Sequence, residues 1–224
     1  MRVDLTSKDI MDIFSSNERV GMGGNGIVFK YDDDHLFKFK YKEFIDCFGV
    51  KDGAFDFSTI ADISEEVKSR KSIQNILTRG EESMAEREIK SLMSKQKWLK
   101  KTTMPQGLVY VDGYCVGYIL KHHKDMVNLF DYLQDHTLED ARAHQIVTQV
   151  GDSVRELISS AIYHDDFTAR NIMYSVETGA TELIDFEDCV RSYDTMNHRA
   201  GESFMRDVNR FNKYIMSRVN SPTM

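Results

Sequence analysis

The chain has 224 residues, 41% of them hydrophobic and 29% charged, with a formal net charge of −7. That length is enough to bury a real core, and the acidic balance gives no footprint for general nucleic-acid binding. No apolar run approaches a membrane span, and Met1-Arg2-Val3-Asp4 carries no signal-peptide core, so no membrane partner is expected.

In chain order, the first element is Gly21-Met22-Gly23-Gly24-Asn25-Gly26-Ile27-Val28, a full G-x-G-x-x-G-x-V. Glycines at these places let a hairpin bend over nucleotide phosphates and present backbone N–H groups without side-chain clash. Gly21, Gly23, Gly24, Gly26 and Val28 are therefore candidate nucleotide contacts. A dinucleotide-binding loop would use the same glycines but should open a helix. Here Ile27-Val28-Phe29-Lys30-Tyr31 is β-rich, Asp32-Asp33-Asp34 is a turn, and His35-Leu36-Phe37-Lys38-Phe39-Lys40 is a second short strand.

This strand, glycine loop, strand, turn, strand order resembles that of protein kinases, and the resemblance implies a strand lysine that grips α- and β-phosphates, for which Lys38 and Lys40 are the two candidates. Side chains two apart share a strand face. With Lys38 toward the nucleotide, Leu36 lies beside it as an adenine ceiling; with Lys40 there, a charge would sit at the adenine contact. Lys38 is the better choice. Residues 41–80 are longer than a compact small lobe needs. Tyr41 to Phe57 reads as irregular, with a turn at Asp52-Gly53, and a helix is expected from about Ser64 to Gly80. This insertion is either a helical extension or a docking element for a regulatory partner.

A helix is expected from Glu81 to Lys101, with Ile89, Leu92 and Met93 as its apolar stripe. Glu88 borders that stripe and is the preferred partner for the strand lysine, with Glu82 and Glu86 as competitors. Gly107 to Val111 and Tyr114 to Leu120 flank Asp112-Gly113, the strongest short hairpin signal. Lys121, with His122 and His123, would form the hinge whose backbone meets adenine in the kinase pattern, and Leu120 at the end of the strand is a further candidate nucleotide contact. The two histidines lack further ligands at zinc spacing. Val127 to Leu133 opens the larger lobe. A long helix follows, with Val147, Val150, Val154, Leu157, Ile158 and Ala161 on one face.

That helix leads into His164-Asp165-Asp166-Phe167-Thr168-Ala169-Arg170-Asn171, which fits H-x-D-x-x-x-x-N. Ile184-Asp185-Phe186-Glu187 follows, its aspartate nineteen residues after Asp166 (185 − 166). These ordered motifs resemble those of the protein-kinase-like superfamily over roughly residues 17–215. The resemblance implies an α+β, two-lobed fold: a β-rich small lobe over residues 1–120 and a truncated helical large lobe over 121–224. It also implies ATP and Mg2+ in the cleft, Asp166 as catalytic base, Lys38 on the phosphates, and Asn171 with Asp185 as metal ligands. Carboxylate and amide oxygens suit a hard cation such as magnesium.

The chain departs from the family pattern in three places. Asp165 stands where many regulated kinases have arginine, so activity without prior phosphorylation is expected. Glu187 replaces glycine. Only 39 residues follow Asp185 (224 − 185), with no A-P-E, so a short large lobe is expected. Phe204, Val208, Phe211 and Ile215 suggest one more core helix. Asp207 on it resembles the aspartate that braces the catalytic loop, or is simply solvated.

Thr168 and the short lobe resemble RIO-type and KEOPS-type atypical kinases; Ile184 to Glu187 looks like aminoglycoside and choline phosphotransferases. The expected activity is ATP- and Mg-dependent phosphoryl transfer to a protein Ser/Thr hydroxyl. The alternatives are a small-molecule kinase and a nucleotide-binding pseudokinase module, the latter disfavoured because every catalytic part is present. Cys47, Cys115 and Cys189 are scattered and odd in number, which points to a reducing compartment. A cytoplasmic location is expected, in the protein's own cell or a host's.

Overall fold

The computed structural model describes residues 1–6, 8–9, 12–13, 19–23, 26–39, 49–51, 54–56, 84–111, 114–186, 190–191 and 198–219. They divide into two compact units, Met1–Met93 with Pro105–His122, and Ser94–Met104 with His123–Met224. Residues 94–104, expected with the first lobe, thus group with the second.

The first unit is built on a six-stranded sheet. Its strands are β1 (Arg2–Leu5), β2 (Arg19–Gly23), β3 (Gly26–Lys30) and β4 (His35–Phe39), later joined by β7 (Gly107–Val111) and β8 (Tyr114–Lys121). Between them come a small hairpin, β5 (Gly49–Lys51) and β6 (Ala54–Asp56), and helix α1 (Met84–Lys95). The sheet order is β1-β7-β8-β4-β3-β2, and every pairing is antiparallel except the parallel β1–β7.

Alternation along the strands gives the sheet two different faces. Ile27, Phe29, Phe37, Phe39, Val109 and Ile119 are all buried, and Phe37 and Phe39 meet edge to face with centroids 5.7 Å apart. On the other face Leu108, Tyr110, Cys115 and Tyr118 pack with Ile89 of α1, with Met93 and Leu120 against them. Gly117 is needed where β8 crosses β4, since a Cβ there would lie 2.2 Å from the Lys38 carbonyl oxygen.

The helix expected from Glu81 to Lys101 is shorter. It ends at Lys95 and tightens into a 3-10 turn, Gln96–Trp98. The Gln96 side chain donates to Leu99 O at 2.8 Å and Thr102 O at 3.0 Å and accepts from Met104 N at 2.8 Å. These bonds take backbone groups that a continuing helix would use. The stretch from Tyr41 to Phe57, expected to be irregular, contains the β5–β6 hairpin, with Lys51 opposite Ala54 across Asp52-Gly53. The helix expected from Ser64 to Gly80, and with it the partner-docking reading, falls outside the described residues, as do Gly24, Lys40, Glu82 and Glu187.

The second unit begins with β9 (Val127–Asn128), α2 (Leu129–Asp135) and α3 (Asp140–Ser159), then β10 (Ile162–Tyr163). β11 (Ile172–Tyr174), β12 (Thr181–Leu183), β13 (Val190–Arg191) and α4 (His198–Ser217) complete it. The buried face of α3 is Ala143, Ile146, Val150, Ser153, Val154 and Leu157. Sequence reasoning placed Val147 and Ile158 on that face, but Val147 is half-buried and Ile158 is exposed. Ala161 lies beyond the helix, in a left-handed conformation with φ 57°. Phe204, Val208, Phe211 and Ile215 do form the buried stripe of α4.

Candidate active site

In the first unit the glycine-rich segment is a hairpin of two strands, with Gly23 paired to Gly26 at its tip and Gly21 to Val28. Val28 pairs onward with Lys38, and Lys38 with Tyr118. Directly opposed residues share a face, so Val28, Lys38 and Tyr118 lie in one row. Leu36 faces Leu120 in the adjacent row of the same face. This is the face on which Ile89 of α1 packs. Lys38 is only 7% exposed. Lys121, expected in the hinge, continues β8 opposite His35 and is exposed.

Glu88 lies within α1, but its side chain falls outside those described. Glu86, its competitor, accepts the Tyr110 hydroxyl and pairs with Lys90 at 2.8 Å. Burial first, and then this hydrogen bond, push the Tyr110 phenol well above its usual range. The two hinge histidines are also taken by protein partners. His122 Nδ1 lies 3.2 Å from Asp33 O, and His123 reaches Thr103 at 2.9 Å and Glu182 at 3.4 Å.

In the second unit, Asp166 and Asn171 stand on the loop between β10 and β11, with a 3-10 turn at Ala169–Asn171. The Asn171 amide donates to Asp166 O at 2.8 Å and to its carboxylate at 3.1 Å. Asp185 comes from fourteen residues further on (185 − 171), yet the β11–β12 hairpin returns it to the same place. Ile172 pairs with Leu183, so the residues just outside them meet, and Ile184 N donates to Asn171 O at 3.0 Å. The hairpin is itself fastened to α3, where Gln149 bonds Thr181 N at 3.0 Å and Gly179 O at 3.3 Å.

His164 closes the arrangement. It is 2% exposed, and its Nε2 lies 3.0 Å from Ile184 O while its Nδ1 accepts from Asp166 N at 3.2 Å. A carbonyl oxygen can only accept and a backbone N–H can only donate, so the partners select the neutral Nε2–H tautomer. Burial pushes this imidazole below its usual range, which favours the same form. The bonds form a ring: His164 to Ile184, Ile184 to Asn171, Asn171 to Asp166, Asp166 to His164.

Aromatic packing supports the ring from below. Phe186 meets His164 edge-on at 4.8 Å, and Phe167 packs against Phe204 and Phe211 of α4 at 5.3 and 5.7 Å. Asn128 caps α2 through its side-chain oxygen and donates from its amide to Arg170 O. Against the bracing role considered for Asp207, that residue pairs with Arg210 on its own helix at 3.0 Å.

Asp166 remains exposed at the open side of this ring. Asp185 adopts φ 66°, a left-handed conformation uncommon outside glycine, and such strain collects at functional sites. The Asn171 amide nitrogen makes both side-chain bonds, so its Oδ1 accepts no hydrogen bond among the described residues. The amide oxygen of Asn171 and the carboxylate of Asp185, whose neighbour Ile184 is bonded to the Asn171 carbonyl, are a donor set that fits magnesium. Sequence reasoning named Asp166, Asn171 and Asp185 but missed Ile184, whose part is played by main-chain atoms that any residue would supply.

A two-lobed α+β fold with a glycine hairpin, a strand lysine and this catalytic loop defines the protein-kinase-like superfamily, and the chain is a small member of it. The sequence pattern of the lipopolysaccharide kinase (Kdo/WaaP) family matches residues 118–222, from within β8 through α4. The match therefore takes in Asp166, Asn171 and Asp185, while the glycine hairpin and Lys38 lie ahead of it. The match supports phosphotransferase activity, that of a kinase. No curated protein matches it.

Proposed function

We propose that this protein transfers the γ-phosphate of ATP to a sugar hydroxyl of a lipopolysaccharide-type acceptor in the cytoplasm. The observation that carries the phosphotransfer chemistry is the hydrogen-bonded ring that holds Asp166 exposed beside Asn171 and Asp185. The acceptor class is suggested by the family match over the same residues.

Phosphoryl transfer needs positioning and charge neutralisation more than covalent help from the protein. In this reading Asp166 accepts the proton of the acceptor hydroxyl and orients its oxygen, a contribution on the order of 10²- to 10⁴-fold. The Asn171 amide bond to one Asp166 oxygen fixes the carboxylate's rotation and leaves its other oxygen for the acceptor. Asn171 Oδ1 and Asp185 would hold Mg2+, which when bound neutralises phosphate charge. In the first unit, the backbone of Gly21, Gly23, Gly24 and Gly26 and the Lys38 ammonium bind phosphate oxygens. Val28, Leu36 and Leu120 present the apolar surface for the base, with the chain beyond Lys121 meeting its edge.

A protein Ser/Thr hydroxyl is the second reading, favoured by the exposed Thr168 two residues after Asp166. The test is incubation with γ-labelled ATP and magnesium, offered dephosphorylated lipopolysaccharide, its free core saccharide, or a mixed protein substrate. Label in the saccharide is the expected result. Label in protein alone would transfer the reading to a protein kinase, and label in neither would overturn it.

A further inference from the structure

We propose that the turn around Trp98 is a membrane-surface docking site, which seats the second unit on a bilayer rich in anionic phospholipid. Residues Lys95 to Lys101 read Lys-Gln-Lys-Trp-Leu-Lys-Lys, four cations and no carboxylate in a chain whose net charge is −7. Trp98 is the most exposed large hydrophobic residue among those described, at 64%. It is not displayed by a loose loop. Gln96 bonds the backbone of Leu99, Thr102 and Met104, and Leu99 beside it is buried at 1%. A rigid turn that spends an anchor on one side and leaves an indole in water on the other needs a partner for that indole.

The charges around it say what kind of partner. Trp98 lies at the rim of a cavity of about 650 Å³ whose lining also includes Lys95, Lys101, Arg155 and Ser159. The facing carboxylates come from α3 and are already engaged. Asp152 pairs with Lys101 and Arg155, and Glu156 accepts the Lys100 backbone N–H at 2.9 Å. The ammonium groups of Lys95, Lys97 and Lys100 make no ion pair among the described residues; Lys97 rests over the Trp98 ring, 4.8 Å from its centroid. An indole among unpaired lysines suits the headgroup region, where the ring enters the interface and the cations meet lipid phosphates. A nucleic-acid partner would need a longer cationic track than this single turn, on a chain that is acidic as a whole. No helix among the described residues is long and apolar enough to cross a membrane, so the contact is peripheral.

The chain contains a single tryptophan, so its fluorescence reports this site in the unaltered protein. The experiment titrates the full chain with phosphatidylglycerol vesicles and with phosphatidylcholine vesicles, following Trp98 emission and co-sedimentation. The expected result is a blue shift and co-sedimentation with the anionic vesicles alone, reversed by high salt. The double variant Lys97→Gln/Lys100→Gln should bind the vesicles roughly thirtyfold more weakly, since each lysine near an anionic surface adds about 1 kcal/mol. Both side chains are exposed, and an unchanged melting temperature confirms that the variant folds. Equal binding to both vesicle types would overturn the proposal. So would a shift produced by glycerol 3-phosphate alone, which makes the cavity a soluble-anion site, or by a single-stranded oligonucleotide without vesicle binding. None of these readouts involves turnover, so their failure is separate from failure of the kinase reading.

Discussion

The two units hold their functional residues in different ways. In the second, Asp166, Asn171 and the residue before Asp185 belong to one ring of hydrogen bonds that closes through His164. In the first, Lys38 has its place from strand register, in a row with Val28 and Tyr118 on the face that packs against α1. On the roles proposed above, the difference teaches that proton-handling groups and phosphate-binding groups answer to different constraints. A base and metal ligands must be held to fractions of an ångström, which cross-linked bonds achieve. A flexible ammonium reaching for phosphate needs only the correct sheet face and a long stem.

The comparison breaks most severely at Asp185. Asp185→Asn should lower turnover on the order of 10²- to 10⁴-fold and also abolish the magnesium dependence of nucleotide binding, as isothermal calorimetry would read. Intact magnesium-dependent binding would remove this residue from the metal site. Next comes Lys38→Met in the first unit, expected to lower turnover by about 10²- to 10³-fold, the scale of one lost phosphate-stabilising donor. Steady-state kinetics on Lys38→Met and Lys40→Met decide the register, because Lys40 should be dispensable.

A smaller effect sharpens the account of the ring. The folded-state pKa of His164 is lowered, so as pH falls below about 6.5 the unfolded chain takes up the proton first. The stability this neutral imidazole contributes is present above that pH and is lost as pH falls through it. Denaturant midpoints at pH 8 and pH 5.5 should show the decline, and His164→Gln should lose that part of the slope. The smallest effect is at Ala161, whose φ of 57° strains any residue with a Cβ. Ala161→Gly should stabilise by up to about 1 kcal/mol, less the extra freedom glycine has when unfolded, visible as a higher melting temperature.

Much of this architecture could be read from residue order because its signals are local. The glycine hairpin, the Asp32-Asp33-Asp34 turn and the period of Phe204, Val208, Phe211 and Ile215 each lie within a few residues. What escaped depends on distant partners. β1 has only four residues, alternating charged and apolar, and its partner β7 lies about a hundred residues away, so nothing local marks it as a strand. On α3 Val150, Val154 and Leu157 are buried as expected, but Val147 and Ile158 drew the expected face to one side of the true one, which also takes in Ala143, Ile146 and Ser153. The early end of α1 turns on Gln96, a good helix former whose side chain instead bonds the backbone beyond it. At the site, sequence reasoning chose Asp166, Asn171 and Asp185, and the fold brings their segments together. The ring that relates them was not legible, since Ile184 enters it only through its N–H and C=O.

The measurement that tests the central claim most directly is a paired one on Asp166→Asn: calorimetric binding of Mg·ATP, and transfer of label from γ-labelled ATP. With Asp166 acting on the acceptor hydroxyl, the variant should bind Mg·ATP within a few-fold of the native chain and lose nearly all transfer. Transfer at the native rate would contradict the account.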